Sequence, residues 1–338
     1  MTLTADTMKQ QYTALNAGPA WIDRSYRALI EVTGKDRVAW AHNLTTNQVK
    51  TLTRDEGNYA FVLNVQGRIL FDLNLVVRED SIWIDLDRRF LQTALKHFQK
   101  YIIMEDVSLT DRSAEFVRVA LAGGRAKTLL ADLGAGHTAA MPAVSMTTIP
   151  FGQTKIDLMR DDFCGVFAVD LFVPLSVAAH FEAEMKARPV PAVPIDDEVV
   201  QIRRIEAGIP WPGAEIADDV LSAETRQLER AVSFQKGCYL GQEIVERMRA
   251  RKVVAKMLSG MRVSGEAVPP VGAEVIADAG AVVGRITSSC HSVALKAPIA
   301  LAYIKIGSAA PGVALQVRWD ENITPAVVAG LPFVQSES

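Results

Sequence analysis

The chain has 338 residues, 49% of them hydrophobic and 22% charged, which is the composition of a globular protein large enough for two or three domains. A formal net charge of −3 excludes a global basic field for nucleic acid, and no stretch approaches the about 20 apolar residues of a membrane span. The polar N-terminus lacks an apolar signal core, and the three cysteines are far apart without zinc-ligand spacing. The sequence therefore predicts a cytoplasmic protein with reduced thiols, no membrane contact and no metal.

The first part of the chain predicts a strand, a turn and a helix, followed by a β-meander. Residues 1–19 form a short helix or a loose arm, and apolar and polar residues alternate from Trp21. The run RVAWAHNLTTNQV then has helical spacing as far as Val49. Residues 58–87 form a meander with turns at Gln66-Gly67 and Glu79-Asp80, and RRFLQTALKHFQKYII is an amphipathic helix.

The second part repeats this order of elements. Residues 116–187 predict a strand, a Gly-Gly turn, a helix, a hairpin and a final helix. The Gly123-Gly124 pair lacks the spacing of a phosphate-binding loop. Antiparallel strands interleaved with helices indicate an α+β fold rather than a doubly wound parallel sheet, and the shared order of elements favours an internal structural repeat.

A proline-rich connector, PVPAVPIDD, marks a domain boundary, and short β runs separated by Gly, Pro and Asp predict a small β-barrel at the C-terminus. The predicted division is a first α+β domain with the N-terminal arm over 1–110 and a second α+β domain over 111–190. A helix and a cysteine motif follow over 191–252, and the barrel domain covers 253–338.

The cysteine motif, FQKGCYLGQEIVERM, is the most unusual local pattern in the chain. Gly237 and Gly241 flank Cys238 and free the backbone to take positive φ or to approach a ligand. Lys236 and exposed backbone N–H groups would favour a thiolate at Cys238. The alternative is a small apolar cysteine that fills a tight turn, because free cysteines are among the most buried residues.

This motif resembles the signature of the YgfZ family, Lys-Gly-Cys-aromatic-x-Gly-Gln-Glu. Every fixed position is met, by Lys236, Gly237, Cys238, Tyr239, Gly241, Gln242 and Glu243. The YgfZ proteins are folate-binding relatives of the glycine cleavage T protein, and NVQGRILFDLNLVV, FCGVFAVDLFVP and RRIEAG are also similar to that wider family. The resemblance implies a three-domain trefoil around a central cavity, completed by the cysteine-motif segment, that admits tetrahydrofolate or a one-carbon derivative.

The resemblance also implies site residues. Asp170 would accept hydrogen bonds from the N–H edge of the pterin; the alternative is a solvated acid on an edge strand. Arg204 would bind the folate carboxylates or else pair with an acid. Asp72 is the second of two Asp residues in the T proteins, and Phe71 replaces the first, which argues against glycine cleavage. Gln242 and Glu243 are further cofactor-binding candidates, with Cys238 and Lys236 as the catalytic pair.

Three functions follow as hypotheses. The first is a YgfZ-like protein that supports iron–sulfur cluster assembly or repair through Cys238, with folate and iron–sulfur client or assembly proteins as partners. The alternative is an aminomethyltransferase, a folate-dependent one-carbon transferase. The third is an accessory factor in tRNA modification, in which the basic run Arg247, Arg249, Arg251 and Lys252 contacts RNA. The weak net charge counts against the third, and a solvated helix face is the simpler interpretation of that run.

Overall fold

A computed structural model describes residues 3–251, 254–277 and 280–335. Its helices are α1 Ala5–Ala17, α2 Arg37–Leu44, α3 Leu91–Gln99, α4 Ala126–Asp132, α5 Leu175–Lys186, α6 Asp197–Glu206, α7 Leu228–Ala231 and α8 Gln242–Arg251. Its strands are β1 Ala20–Asp23, β2 Arg27–Thr33, β3 Gly57–Leu63, β4 Ile69–Val77, β5 Ile82–Asp87, β6 Ser108–Asp111, β7 Phe116–Ala122, β8 Met146–Phe151, β9 Thr154–Arg160, β10 Ala168–Pro174, β11 Val193–Ile195, β12 Lys256–Val263, β13 Glu274–Ile276, β14 Val282–Ser292, β15 Ala297–Lys305, β16 Ala314–Trp319 and β17 Asn322–Ala329. Within these residues, no helix combines the length and the hydropathy that crossing a bilayer requires.

The first sheet is antiparallel, in the order β3-β4-β5-β2-β6. It contains the predicted meander as β3 to β5. Helices α2 and α3 cover one face, where Trp40 and Phe98 pack edge to face with ring centroids 5.3 Å apart. Helix α2 ends at Leu44 and does not reach Val49, because Thr45 is extended and its hydroxyl donates to the Ala41 carbonyl at 2.9 Å.

The second sheet has the order β11-β1-β7-β10-β9-β8 and recruits the start of the chain. Strand β1 pairs antiparallel with β7 and parallel with β11. The apolar side chains of β1, such as Ile22, pack in one cluster with Ala120 and Val199. Strand β1 therefore belongs to the second sheet, and Ala14 and Leu15 of α1 pack in the same cluster, which differs from the predicted assignment of the arm to a domain covering 1–110.

Four strands of each sheet share one topology. Strands β8, β9, β10 and β7 stand in the second sheet in the order that β3, β4, β5 and β2 have in the first. The next place is taken by β6 in the first sheet and by β1 in the second, although β6 follows its unit in the chain and β1 precedes its unit. The predicted internal repeat is confirmed in this strand order, although the two sequences do not visibly repeat.

The C-terminal strands close a barrel in the order β12-β15-β14-β13-β16-β17, with β17 returning to β12. The predicted α+β architecture with a terminal β-barrel is confirmed. Side chains from both sheets and the barrel, among them Trp83, Phe172 and Tyr303, meet in one buried apolar cluster. The three units therefore pack around a common centre.

Candidate functional site

Two cavities lie where the three units meet. The larger has a volume of about 1270 Å³ and lies between α6 and the barrel strands β14 and β15. The smaller, called here the inner chamber, has about 50 Å³ and is lined by Asp72, Asn74 and Asp161, among others. Tyr26 and Trp211 line both cavities, with ring centroids 5.9 Å apart. The inner chamber has room for only a few water molecules, and the two rings lie between it and the larger cavity.

Asp72 lies on β4 and lines the inner chamber. Its carboxylate accepts a hydrogen bond from the Tyr59 hydroxyl at 2.7 Å. Burial raises the pKa of Asp72 above its usual range, while the Tyr59 hydroxyl and the guanidinium groups of Arg27 and Arg230 oppose that rise. A buried carboxyl of this kind can hold or release a proton at a bound ligand.

Phe71 faces the other side of the same sheet, because successive strand residues alternate. Its ring is 1% exposed and packs edge to face on Phe98 of α3, with centroids 5.7 Å apart. A carboxylate at this position would lie in the apolar core, away from the inner chamber. The replacement of Asp by Phe therefore takes no carboxylate from the chamber, and the sequence argument against glycine cleavage loses its force.

Asp170 is closed to ligands in this structure. It is fully buried on β10, between β7 and β9, so the edge-strand alternative is wrong. Arg24 donates from Nε at 2.8 Å to one carboxylate oxygen, and Arg118 donates at 2.8 Å to the other. Asp170 is 0% exposed and, unlike Asp161, does not line the inner chamber, so the predicted contact with a pterin has no access to it.

Asp170 belongs to a buried charge network that joins the two sheets. Its members are Arg24, Arg27, Arg118, Asp85, Asp161 and Asp170. Arg118 bridges the sheets, since it also donates to Asp85 at 3.0 Å. Burial alone would raise the pKa of Asp85, but the Arg27 and Arg118 guanidinium groups outweigh burial and hold that pKa below its usual range.

The sequence analysis missed the other members of this network. A signal exists, because charged residues interrupt apolar strands: Arg118 in FVRVALA and Asp85 in IWIDLD. A charge inside a buried strand requires a partner, and the strand pattern alone does not say which one.

Arg204 lines the larger cavity, and each of its three nitrogens already donates a hydrogen bond to a neighbouring residue. It donates from Nη1 to Glu215 at 2.9 Å, from Nη2 to Ser288 at 2.7 Å and from Nε to Gln201 at 2.9 Å. Of the two predicted roles, the structure contains the pairing with an acid. Arg204 thereby ties α6 to the 211–216 loop and to the barrel.

Cys238 is exposed, whereas the other two cysteines are wholly or largely buried. Burial raises the pKa of the Cys164 thiol and of the Cys290 thiol to about 12. Cys238 lies in a groove of about 850 Å³ between α2 and residues 235–243. Among the described residues, none lines both this groove and either cavity. The 191–252 segment therefore reaches the cavities through α6, Trp211 and Arg230, whereas residues 235–243 of the cysteine motif line the separate groove.

Lys236 stabilises the end of α2. Its ammonium group donates to the carbonyls of His42 and Thr45 at 2.5 Å each, and to that of Asn47 at 2.8 Å. Burial, and after it the charge of Lys50, lowers the pKa of Lys236 to about 7. These hydrogen bonds give Lys236 a structural role at the end of α2. The activation of the Cys238 thiol by Lys236 remains a prediction.

The remaining motif residues place the loop on the first sheet. Gly241 has a φ of +82°, and a Cβ there would lie 2.7 Å from the Asn64 carbonyl oxygen in the β3–β4 turn. Gln242 accepts a hydrogen bond from the Tyr239 N–H at 3.3 Å, and Glu243 is exposed in the first turn of α8. The close approach at Gly241 fixes the motif outside the cavities, so Gln242 and Glu243 do not meet Asp72.

Arg247, Arg249 and Arg251 of the basic run lie on the C-terminal half of α8. Arg247 and Arg249 are exposed, and Arg249 lies over the Phe234 ring at 4.2 Å and 3.7 Å from Glu246. Lys252 lies outside the described residues, as does the side chain of Arg251. The tRNA contact stays a prediction.

Comparison with known proteins identifies the architecture. The "GCVT N-terminal domain" family matches residues 2–236, and the "Glycine cleavage T-protein C-terminal barrel domain" family matches residues 256–335. The aminomethyltransferase of Herpetosiphon aurantiacus is 24% identical over 96% of this chain and 90% of that protein. The aminomethyltransferase of Symbiobacterium thermophilum is 26% identical over 97% of this chain and 89% of that protein. The crystal structure of aminomethyltransferase T of the glycine cleavage system from Bartonella henselae superposes with a TM-score of 0.89 at 18% identity, over 98% of this chain and 91% of that one.

Proposed function

The chain belongs to the glycine cleavage T-protein family, and from this premise we propose that it binds a reduced folate where its three units meet and handles a one-carbon unit there. One-carbon transfer of the aminomethyltransferase type is the activity best supported. The observation that carries it is Asp72, a buried carboxyl that lines the inner chamber and is oriented by the Tyr59 hydroxyl.

The side chains around the cavities fit a folate. A pterin presents N–H donors along one edge, and Asn74, which lines the chamber, has a buried amide oxygen without a hydrogen-bond partner among the described residues. Lys256 and Lys305 line the barrel side of the larger cavity and suit a carboxylate tail. A pterin is larger than the free space of the inner chamber, so Tyr26 and Trp211 must move when the ring enters.

The chain's own residues then have distinct tasks. Bound tetrahydrofolate supplies the nitrogen that takes up the one-carbon unit. Asp72 holds or accepts the proton at that nitrogen, and Tyr59 keeps the carboxylate in place. Tyr26 and Trp211 exclude water from the inner chamber once it is filled.

Titration of the purified protein with tetrahydrofolate under anaerobic conditions tests the proposal. We expect saturable heat in calorimetry and a change in tryptophan fluorescence, because Trp211 lines both cavities. Trp211→Phe should retain most of the heat and lose most of the fluorescence change. The absence of heat and of a fluorescence change in the wild-type protein at millimolar folate would contradict the proposal.

The second candidate is the YgfZ-type support of iron–sulfur enzymes. The observation that favours it is the exposure of Cys238 in a groove apart from the cavities, where a protein partner could reach the sulfur. Catalysis inside the cavities does not explain an exposed thiol in a groove that shares no described lining residue with them.

Replacement of Cys238 by Ala in cells tests this candidate. We expect iron–sulfur enzyme activities to fall as far as in cells without the gene, because the exposed thiol is the reactive group. Cys290→Ala is the matched control and should leave them unchanged, since burial raises the pKa of that thiol to about 12. Normal iron–sulfur activities in the Cys238→Ala cells would remove the thiol from the function.

A further inference from the structure

We propose that Asp161, rather than Asp170, is the carboxylate that holds the N–H edge of the pterin. The inference rests on the proposed binding of folate and assigns the recognition residue within the inner chamber. Asp161 follows β9 directly and lines the chamber, whereas Asp170 lies behind it.

The two oxygens of Asp161 have different surroundings. Oδ2 accepts a hydrogen bond from Arg24 Nη2 at 2.8 Å. Oδ1 receives no hydrogen bond from the described residues, and it is not among the side-chain oxygens that are sealed from solvent. Asp161 lines the chamber, so this oxygen is an open acceptor at the chamber wall. A ligand that uses it carries N–H or O–H donors and replaces water there.

Arg24 fixes the direction in which Asp161 presents this oxygen. Its guanidinium also donates to Asp170 from Nε at 2.8 Å and from Nη2 at 3.2 Å, and it stacks on the Phe163 ring at 3.6 Å. Asp170 thus acts through Arg24 as a positioning residue for Asp161. Each carboxylate oxygen has two lone pairs, so Asp161 can stay on Arg24 and still accept two adjacent N–H groups.

The electrostatic setting agrees with this geometry. Burial raises the pKa of Asp161, and the neighbouring charge of Asp170 adds to the rise against the opposing effect of Arg24. N–H donors on a ligand stabilise the ionised form of the Asp161 carboxylate, which burial has partly withdrawn from water. Asp72 lines the same chamber, so one ring held by Asp161 also lies beside the proposed proton carrier.

Calorimetric titration of Asp161→Asn with tetrahydrofolate tests the assignment. Arg24 requires an acceptor, so the amide oxygen should stay on Arg24 and the amide NH₂ should face the N–H donors of the pterin. We expect affinity to fall by about 10–100-fold, the loss of a charge-assisted hydrogen bond. The matched control is Asp157→Asn, on β9 but paired with Arg78 outside the chamber, and it should bind as the wild-type protein does.

A second measurement needs no variant. Tetrahydrofolate with its 2-amino group replaced by methyl should bind the wild-type protein at least about tenfold more weakly, because one donor is lost. Folded Asp161→Asn should bind both compounds equally. Equal binding of the two compounds by the wild-type protein, or unchanged affinity in folded Asp161→Asn, would overturn the assignment and leave the folate proposal standing. Failure of the wild-type protein to bind tetrahydrofolate would instead count against the folate proposal itself.

Discussion

Asp170→Asn is expected to lower the free energy of unfolding by about 3–5 kcal/mol, the cost of breaking a buried ion pair by removing one partner. Both guanidinium groups that it contacts are almost fully buried, with side-chain exposures of 1% for Arg24 and 3% for Arg118. The isosteric amide keeps the shape of the side chain. The decrease in the free energy of unfolding therefore results from lost charge and hydrogen bonding rather than from altered packing.

Urea unfolding followed by circular dichroism measures this effect, provided that the slope of the transition stays constant. Asp132→Asn is the matched control, because it removes the same charge from a side chain that is 58% exposed. Its free energy of unfolding should stay within about 0.5 kcal/mol of the wild-type value. A similarly small change in Asp170→Asn would mean that the buried network contributes little, and the carboxylate would again be available for a ligand.

The position of this network follows from the internal repeat. Asp85 on β5 lies opposite Leu29, two residues beyond Arg27, and Asp170 on β10 lies opposite Ala120, two residues beyond Arg118. Each sheet thus contributes one Arg and one Asp at equivalent places. The bridge from Arg118 to Asp85 joins these two equivalent pairs across the sheets. The repeat therefore concentrates charge where the units meet, and Asp161 and Arg24 add to it on one side only.

Local patterns in the sequence were enough to predict most elements. The meander, the α3 helix and the barrel rest on periodicity and turn residues, which act over short stretches of chain. The cysteine motif was identified in the same way, and the close approach at Gly241 agrees with the predicted need for glycine.

The contents of the site required contacts that no local pattern reveals. Asp170 meets Arg24 across 146 residues and Arg118 across 52 residues, and these partners decide that it is closed to a ligand. The motif could not show that its loop rests on the β3–β4 turn, which places Cys238 in a separate groove. Family resemblance assigns a role to a residue such as Asp170, but the side chains that surround it in the fold determine whether it can contact a ligand.

Asp72→Asn is expected to lower kcat/KM for one-carbon transfer by about 10²–10⁴-fold, the range for loss of a general acid–base group. Tetrahydrofolate should still bind, because the amide keeps the shape of the chamber wall. The measurement is the formation of methylenetetrahydrofolate from a lipoyl-carried aminomethyl group, with calorimetry as the check on binding. Asp132→Asn serves as the control for charge. Full activity in Asp72→Asn would remove this carboxyl from the chemistry.

Stability and pH dependence separate this role from a structural one. Because burial raises the pKa of Asp72, the ionised carboxylate costs folding free energy at neutral pH, and that cost disappears as pH falls through the raised pKa. Asp72→Asn should therefore unfold at a urea concentration no lower than the wild-type protein, the opposite of Asp170→Asn. Tyr59, Arg27 and Arg230 favour the ionised form, so Tyr59→Phe should shift the acidic limb of the rate profile to higher pH, whereas Asp72→Asn should abolish that limb.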